Sequence, residues 1–356
     1  MDKQNYPVHY ITEKKDIYQK YCEKESKCLK VIPITKSNYL NEGDFLQNYF
    51  GLILKLKAFI SAKPWCINSI AELFYNIEYI TYIAIGHGLC FFKDYLYKEN
   101  RLYGKKRNDK ILIPPSKKVI FLAKKYGWKD ENIIKINLPR WDKYNNEVLL
   151  NMNSKNKFST RSILLMFTWR AIKKNKNISY HYIKNIISLL LNSDLKNSLI
   201  QNKIILHFVF HRYMIDKYKN KYDTIISNHK YINYLEQNEI SDCLSKASLV
   251  ISDFSSIIFD SIYRRKPFII YIPDANDPDI KNIYDDDYYQ LIESLKNDTI
   301  YFENKFFNIN SVIGKIIYYI NNNFTIENNL IKFYYSFELN QDANINKFIK
   351  YLNNLK

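Results

Sequence analysis

Short apolar runs recur along this chain, and each stops at a polar or turn-forming residue. The clearest are YPVHYI, LKVIPI, YIAIGHG, NIIKINLPRWD, SILLMFTW, KIILHFVFH, SLVISDF and PFIIYIPD. They are short for helices and rich in Ile, Val, Leu and Phe, which marks them as strands. Between many of them lie stretches with apolar residues three and four apart. Strands separated by helices are joined by crossovers, and crossovers build a parallel sheet with helices on its faces. The expected class is α/β.

KVIFLAKKYGW has helical spacing and ends at Gly127, a residue suited to the turn past a helix. SYHYIKNIISLLLNSDL, SDCLSKA with Ser241 as its N-cap, and Ser256 to Arg265 also read as helices. So do the segment from Asn41 to Ile60 and the C-terminal tail, whereas YDTIISN reads as a strand. The Lys- and Asn-rich stretch KYNNEVLLNMNSKNKFST interrupts the alternation and divides the chain into domains 1–150 and 151–356. The tail helices of the second can return to pack on the first. Ligands bind at the C-terminal ends of strands in such sheets, so the two domains should face each other across a cleft.

The 356 residues are 47% hydrophobic, enough for two cores. A formal charge of +17 favours anionic partners such as nucleotides, polyanionic acceptors or anionic lipid. Part of that excess belongs on solvated faces. The basic residues are dispersed and form no nucleic-acid motif, so no nucleic acid is expected. Five cysteines, Cys22, Cys28, Cys66, Cys90 and Cys243, include no CxxC pair, which argues against a zinc site or disulfide framework and fits a reducing cytoplasm. MDKQNYPVHYITEKK lacks the apolar core of a signal peptide. No apolar run reaches the roughly 18 residues of a membrane span. The longest candidate, Ile77 to Phe92, carries Glu78 and His87. Any membrane contact should therefore be peripheral. YDDDYY, the only acidic run, reads as a solvated loop, and neither a metal nor a cofactor is expected.

Chemistry-bearing residues gather at the predicted strand ends. In SLVISDFSSIIFD an apolar strand turns into a helix through Asp253, Phe254, Ser255 and Ser256, with Asp260 one turn further on. A helix start exposes unpaired N–H groups and the positive end of the helix dipole, which together attract anions. Two hydroxyls would add donors there. Asp253 could cap the helix or orient the turn. The competing reading makes all of these N-cap residues. His87 sits between two glycines, Arg140 and Asp142 follow NLP, Thr168, Trp169 and Arg170 end FTWR, and His211 and Arg212 end HFVFHR. A histidine at one strand end is usually structural, but here several such ends converge on one expected cleft.

These motifs carry a resemblance. LVISDFSSIIFDSIYRRKPFIIY is similar to the ITDYSS…FD…KP…FY signature of the CDP-glycerol glycerophosphotransferase family. GHGLCFFK resembles its WHGTPLKK, NLPRWD its GLPRFD, FTWR its PTWR and HFVFH its F.PH, in the family's order. Gly86, Leu89, Cys90, Phe91 and Phe210 depart from the pattern. The resemblance implies two Rossmann-like domains in a GT-B-like arrangement. It also implies transfer of a polyol phosphate from CDP-glycerol, or a related CDP-polyol, to an acceptor hydroxyl with release of CMP. Arg140, Thr168, Trp169, His211, Ser255, Ser256 and Asp260 would contact the donor. His87 would be the general base, and His211 would steady charge on phosphate. The acceptor would be a glycan or polyol-phosphate polymer, lipid-linked forms included. The protein would then work in the cytoplasm, peripherally on the anionic inner face of the plasma membrane. Two other readings stay open: a glycosyltransferase using a sugar nucleotide, and a non-catalytic homologue serving as an assembly scaffold.

Overall fold

A computed structural model describes residues 8–12, 29–33, 58–61, 81–84, 110–125, 128–145, 148, 161–168, 170, 172–173, 177, 179–209, 229–236, 239–284, 286–297, 304–328 and 343–354. All pairings between its strands are parallel. β1 (Val8–Thr12) pairs with β2 (Leu29–Pro33). A four-stranded sheet runs β3 (Ala58–Ser61), β4 (Thr81–Ala84), β5 (Lys110–Ile113), β6 (Ile133–Lys135). Among the described residues, six strands follow the polar bridge: β7 (Ser162–Met166), β8 (Ile205–Val209), β9 (Ile232–Tyr234), β10 (Leu249–Ser252), β11 (Phe268–Tyr271) and β12 (Lys305–Phe306). Their spatial order is β12-β11-β10-β7-β8-β9. Counted from β7 this is the doubly wound order 3-2-1-4-5-6, and the winding reverses between β7 and β10.

The central strands of this sheet are buried on both faces. Ile163, Leu165, Ile251 and Ile269 belong to one apolar cluster, and Leu164, Val250, Phe268 and Ile270 to another. That alternation explains why the strands read as unbroken apolar runs. The first cluster takes in α2 (Tyr180–Leu190), α3 (Ser193–Gln201) and α8 (Ile309–Asn321). The second takes in α1 (Lys117–Lys125), α5 (Ile257–Tyr263) and the face of α9 (Asn344–Asn353) that holds Phe348. Between them along the chain lie α4 (Ile240–Lys246), α6 (Ile280–Ile283) and α7 (Asp286–Asn297).

Several local expectations need correction. The end of the segment expected to be helical, residues 41–60, is strand: Ala58–Ser61 pairs in register with β4. Its Phe-Ile pair suits a strand, and pairing overrides the helical spacing before it. SYHYIKNIISLLLNSDL is two helices, because Asn192 accepts from the N–H of Leu195 at 2.9 Å and starts α3 afresh. Ser241 lies inside α4 rather than capping it. The chain enters α4 through a turn in which the Glu239 carboxylate takes the N–H of Glu236 at 2.8 Å. YDDDYY is no solvated loop: Asp286 opens α7, and Tyr284 and Tyr288 are buried. YDTIISN lies outside the described residues.

Candidate functional site

The site is built where the winding reverses. β7 and β10 run side by side with Met166 opposite Ser252, and the Ser252 hydroxyl donates to the Met166 carbonyl. Just beyond, the Thr168 N–H donates to both carboxylate oxygens of Asp253, at 3.1 and 3.0 Å, and its hydroxyl donates to the same group. Asp253 therefore does not cap the following helix. It ties the end of β10 to the end of β7 and orients the turn.

Arg170 completes this arrangement from below. Its side chain is fully buried between two carboxylates. Nε and Nη2 donate to Asp274 at 2.9 Å each, and Nη1 donates to Asp253 and to the Thr168 carbonyl, the latter at 3.1 Å. The guanidinium also lies over the rings of Tyr182, Phe254 and Tyr288, at 4.3, 5.0 and 5.4 Å from their centroids. Burial alone would lower its pKa, but Asp274 and Asp253 more than offset that and hold the guanidinium charged well above its ordinary range. Arg170 was visible as a strand-end residue, and Asp274 as the polar end of PFIIYIPD. Nothing in the sequence joins them, since they are 104 residues apart.

The turn that follows Asp253 presents its donors. Ser256 occupies the N-cap position of α5 yet makes no side-chain cap hydrogen bond. Among the described residues, the Ser255 hydroxyl meets only the Ile257 N–H, at a long 3.4 Å. Among the described residues, no acceptor takes the backbone N–H of Ser255 or Ser256. Two hydroxyls and two amides thus collect at the C-terminal edge of β10.

Arg140 and Asp260 meet each other. Arg140 Nη2 donates to both oxygens of Asp260, at 2.8 and 3.0 Å, and Trp141 Nε1 donates to Oδ1 at 2.6 Å. Asp260 is largely covered, while the Arg140 side chain remains 36% exposed. The Trp141 ring stacks on Tyr263, one turn along α5 from Asp260, with centroids 4.4 Å apart. The PRWD segment, folded as a 3-10 helix over Pro139–Tyr144, is therefore clamped against the helix that carries the serine turn. His87, Trp169 and His211 lie outside the described residues. Among the described residues no group of three or more His, Cys, Asp or Glu could hold a metal, and no helix is long and apolar enough to cross a membrane.

The order of these motifs and the sheet that carries them fit one family. A family model described as CDP-glycerol:poly(glycerophosphate) glycerophosphotransferase matches residues 9–342. The chain belongs to this family. It is by that membership a glycerophosphotransferase. No curated protein matches it. Among solved structures, the Methanocaldococcus jannaschii UDP-GlcNAc 2-epimerase, in complex with UDP-GlcNAc and UDP, is similar with a TM-score of 0.53 at 13% identity, covering 97% of this chain and 99% of that one. S. aureus MnaA, solved with UDP, gives 0.51 at 14%, covering 99% and 98%. The wall teichoic acid polymerase TagF gives 0.45 at 15%, covering 99% and 83%. At these identities the first two structures speak for the fold alone, which is GT-B-like, as the resemblance implied.

Proposed function

We propose that this glycerophosphotransferase moves glycerol phosphate, or a related polyol phosphate, from a CDP-activated donor to a hydroxyl of a growing cell-surface polymer. The polymer would be teichoic acid-like or capsular. The observation that carries this reading is the grouping of Thr168, Asp253, Ser255 and Ser256 at the C-terminal edge of β7 and β10, where the winding reverses. Such reversals are where open α/β sheets bind nucleotides. In this reading the hydroxyls and amides of the serine turn take the donor diphosphate. Trp169 holds the nucleotide beside Thr168. Arg140, aimed by Asp260, neutralises phosphate charge.

The acceptor oxygen attacks the phosphorus that bears glycerol, and the bond to the CMP oxygen breaks. His87 receives the acceptor proton, and His211 and Arg140 stabilise the phosphoryl oxygens and the departing CMP. No metal is needed for this charge balance, and activity should survive EDTA. The division of labour would follow domains 1–150 and 151–356, with the nucleotide on the second. The net charge of +17 supports a polyanionic acceptor and work at the anionic inner face of the plasma membrane, from the cytoplasm.

The test is a donor screen. Purified protein is titrated with CDP-glycerol, CDP-ribitol and UDP-sugars, and CMP or UDP release is followed with a polyol-phosphate acceptor. Binding and turnover of a CDP-polyol alone are expected. Preference for a UDP-sugar would make the protein a glycosyltransferase, and binding without turnover would make it a scaffold.

A further inference from the structure

Arg170 is fully buried, so it cannot itself meet a donor, yet it holds the strand ends around the place where the donor would sit. Its fork takes Asp274 with two hydrogen bonds, beyond the end of β11, and Asp253 with a third, at the end of β10. Nη1 also reaches the carbonyl of Thr168, at the end of β7. The flat face of the guanidinium covers Phe254, the residue that leads into Ser255. One side chain thus joins three neighbouring strand ends and the first residues of the serine turn.

A buried cluster of one guanidinium and two carboxylates is a poor way to hold a sheet together. Desolvating three charges is costly, and apolar residues of the same volume usually hold a core as well or better. What the cluster supplies is geometry. The guanidinium fork has fixed directions, so Asp253 can neither turn toward the helix nor release Thr168 without breaking a charge-assisted bond.

We propose that Arg170 is a positioning residue of the donor site, one that fixes the separation between Thr168 and the Ser255–Ser256 turn through Asp253 and Asp274. This rests on the donor-site reading above for its consequence on binding, but not for its consequence on the turn itself. Removing the charge outright would leave two buried carboxylates unmatched and could unfold the protein. The informative variants are therefore Arg170→Lys, which keeps the charge and loses the fork, and Asp274→Asn, which frees the fork on one side.

Amide hydrogen exchange on the folded, ligand-free variants reads the turn directly. The Thr168 amide donates to Asp253, and the amides of Ile258 and Phe259 donate to the carbonyls of Ser255 and Ser256. In both variants these amides should exchange about tenfold faster or more, with the mid-strand amides of Leu165 and Ile251 unchanged. Faster exchange at all five alike would mean that Arg170 only stabilises the sheet, and unchanged exchange at all five would mean that the fork sets nothing. Either result overturns the proposal. Calorimetric titration of CDP-glycerol into Arg170→Lys, the double Ser255→Ala/Ser256→Ala variant and their combination then follows the effect to the donor. Arg170→Lys should weaken binding about tenfold, and far less once the serines are gone, because a residue acting through the turn has nothing left to act on. Full additivity would overturn the link between Arg170 and the serines. Loosened turn amides in a protein that never binds CDP-glycerol would uphold Arg170 as the residue that sets the turn and sink the donor reading instead.

Discussion

Ser255 and Ser256 are where the two readings of the turn part. As caps they do little here: Ser256 makes no cap bond and Ser255 only a long one. The double alanine variant should therefore lose less than the roughly 1 kcal/mol that a working cap supplies. As phosphate donors they matter more, since a hydrogen bond to a charged oxygen is worth about 1.5–3 kcal/mol and about 1.4 kcal/mol is one decade of affinity. CDP-glycerol affinity should fall more than tenfold in calorimetry, at a temperature where circular dichroism finds both proteins folded. An unchanged dissociation constant would remove the serines from the donor site. His87→Ala makes a complementary case. If the imidazole is the base, turnover should drop about 10²–10⁴-fold while donor affinity holds, and wild-type turnover would exclude it. The serines were legible because their type and position already implied donors at a strand end. The work of Asp253 and Arg170 was not, because its meaning lies in partners 83 residues apart in the chain. Asp260 was legible as a residue one turn in from Ser256, but its engagement by Arg140 and Trp141 needs two distant segments to meet.

At the level of elements, periodicity found β7, β10 and β11 because burial on both faces leaves so little polarity in them, and it passed over β3, β5, β9 and β12. It misread YDDDYY for the opposite reason. Three aspartates look like solvent, but an acidic first turn suits the positive end of α7. Tyr284 and Tyr288, four apart, point into the core with ring centroids at 4.9 Å. Arg264, Arg265 and Lys266 follow α5 and end it. Arg265 sits at φ 59°, in the left-handed region usually given to glycine. There the N–H of Arg265 returns to Ile262 and that of Lys266 to Ser261, which closes the helix. Lys266 is buried, and its ammonium donates to the carbonyl of Leu244 at 2.9 Å and to that of Ser245, both in the last turn of α4. Lys266→Met should keep the packing but strand those carbonyls, at a cost of about 1–3 kcal/mol. Urea unfolding should register that loss, and an unchanged midpoint would mean that α4 needs no such cap. Cys243 lies in the same helix, and burial pushes its thiol up from 9.0 to about 11. The unfolded chain gives up that proton first, so the thiol's contribution to stability is whole below pH 9 and is lost as the pH rises through about 11. Relative to Cys243→Ala, the wild-type melting temperature should fall across that interval. Parallel curves would assign the loss to other groups.

At the level of the whole molecule, the 3-10 helix Pro139–Tyr144 is the place where distant parts of the chain converge. Arg140 and Trp141 hold α5 through Asp260, Lys143 reaches Ser241 of α4 at 3.1 Å, and Asp142 turns to the C-terminal helix. That helix begins after Ala343, which has no side chain able to cap it. Asp142 supplies the cap from 202 residues away, accepting from the Asn344 N–H at 2.7 Å and its side-chain amide at 2.6 Å, and Asp142 also takes the Ile345 N–H at 2.9 Å. A carboxylate on two N-terminal amides both satisfies orphan donors and meets the positive end of the helix dipole. Asp142→Ala should therefore cost α9 about 1–2 kcal/mol, felt as local release of the tail before the rest unfolds. Limited proteolysis should cut the tail about tenfold faster in the variant, a factor that follows from about 1.4 kcal/mol of lost docking. Asp142→Asn, which keeps one acceptor and loses the charge, should fall between the two. CDP-glycerol affinity should hold throughout, because Arg140 and Trp141 keep their hydrogen bonds to Asp260, a residue of α5. Equal cleavage rates in variant and parent would mean that Phe348 and Ile349, buried one turn further along α9, dock the tail by themselves.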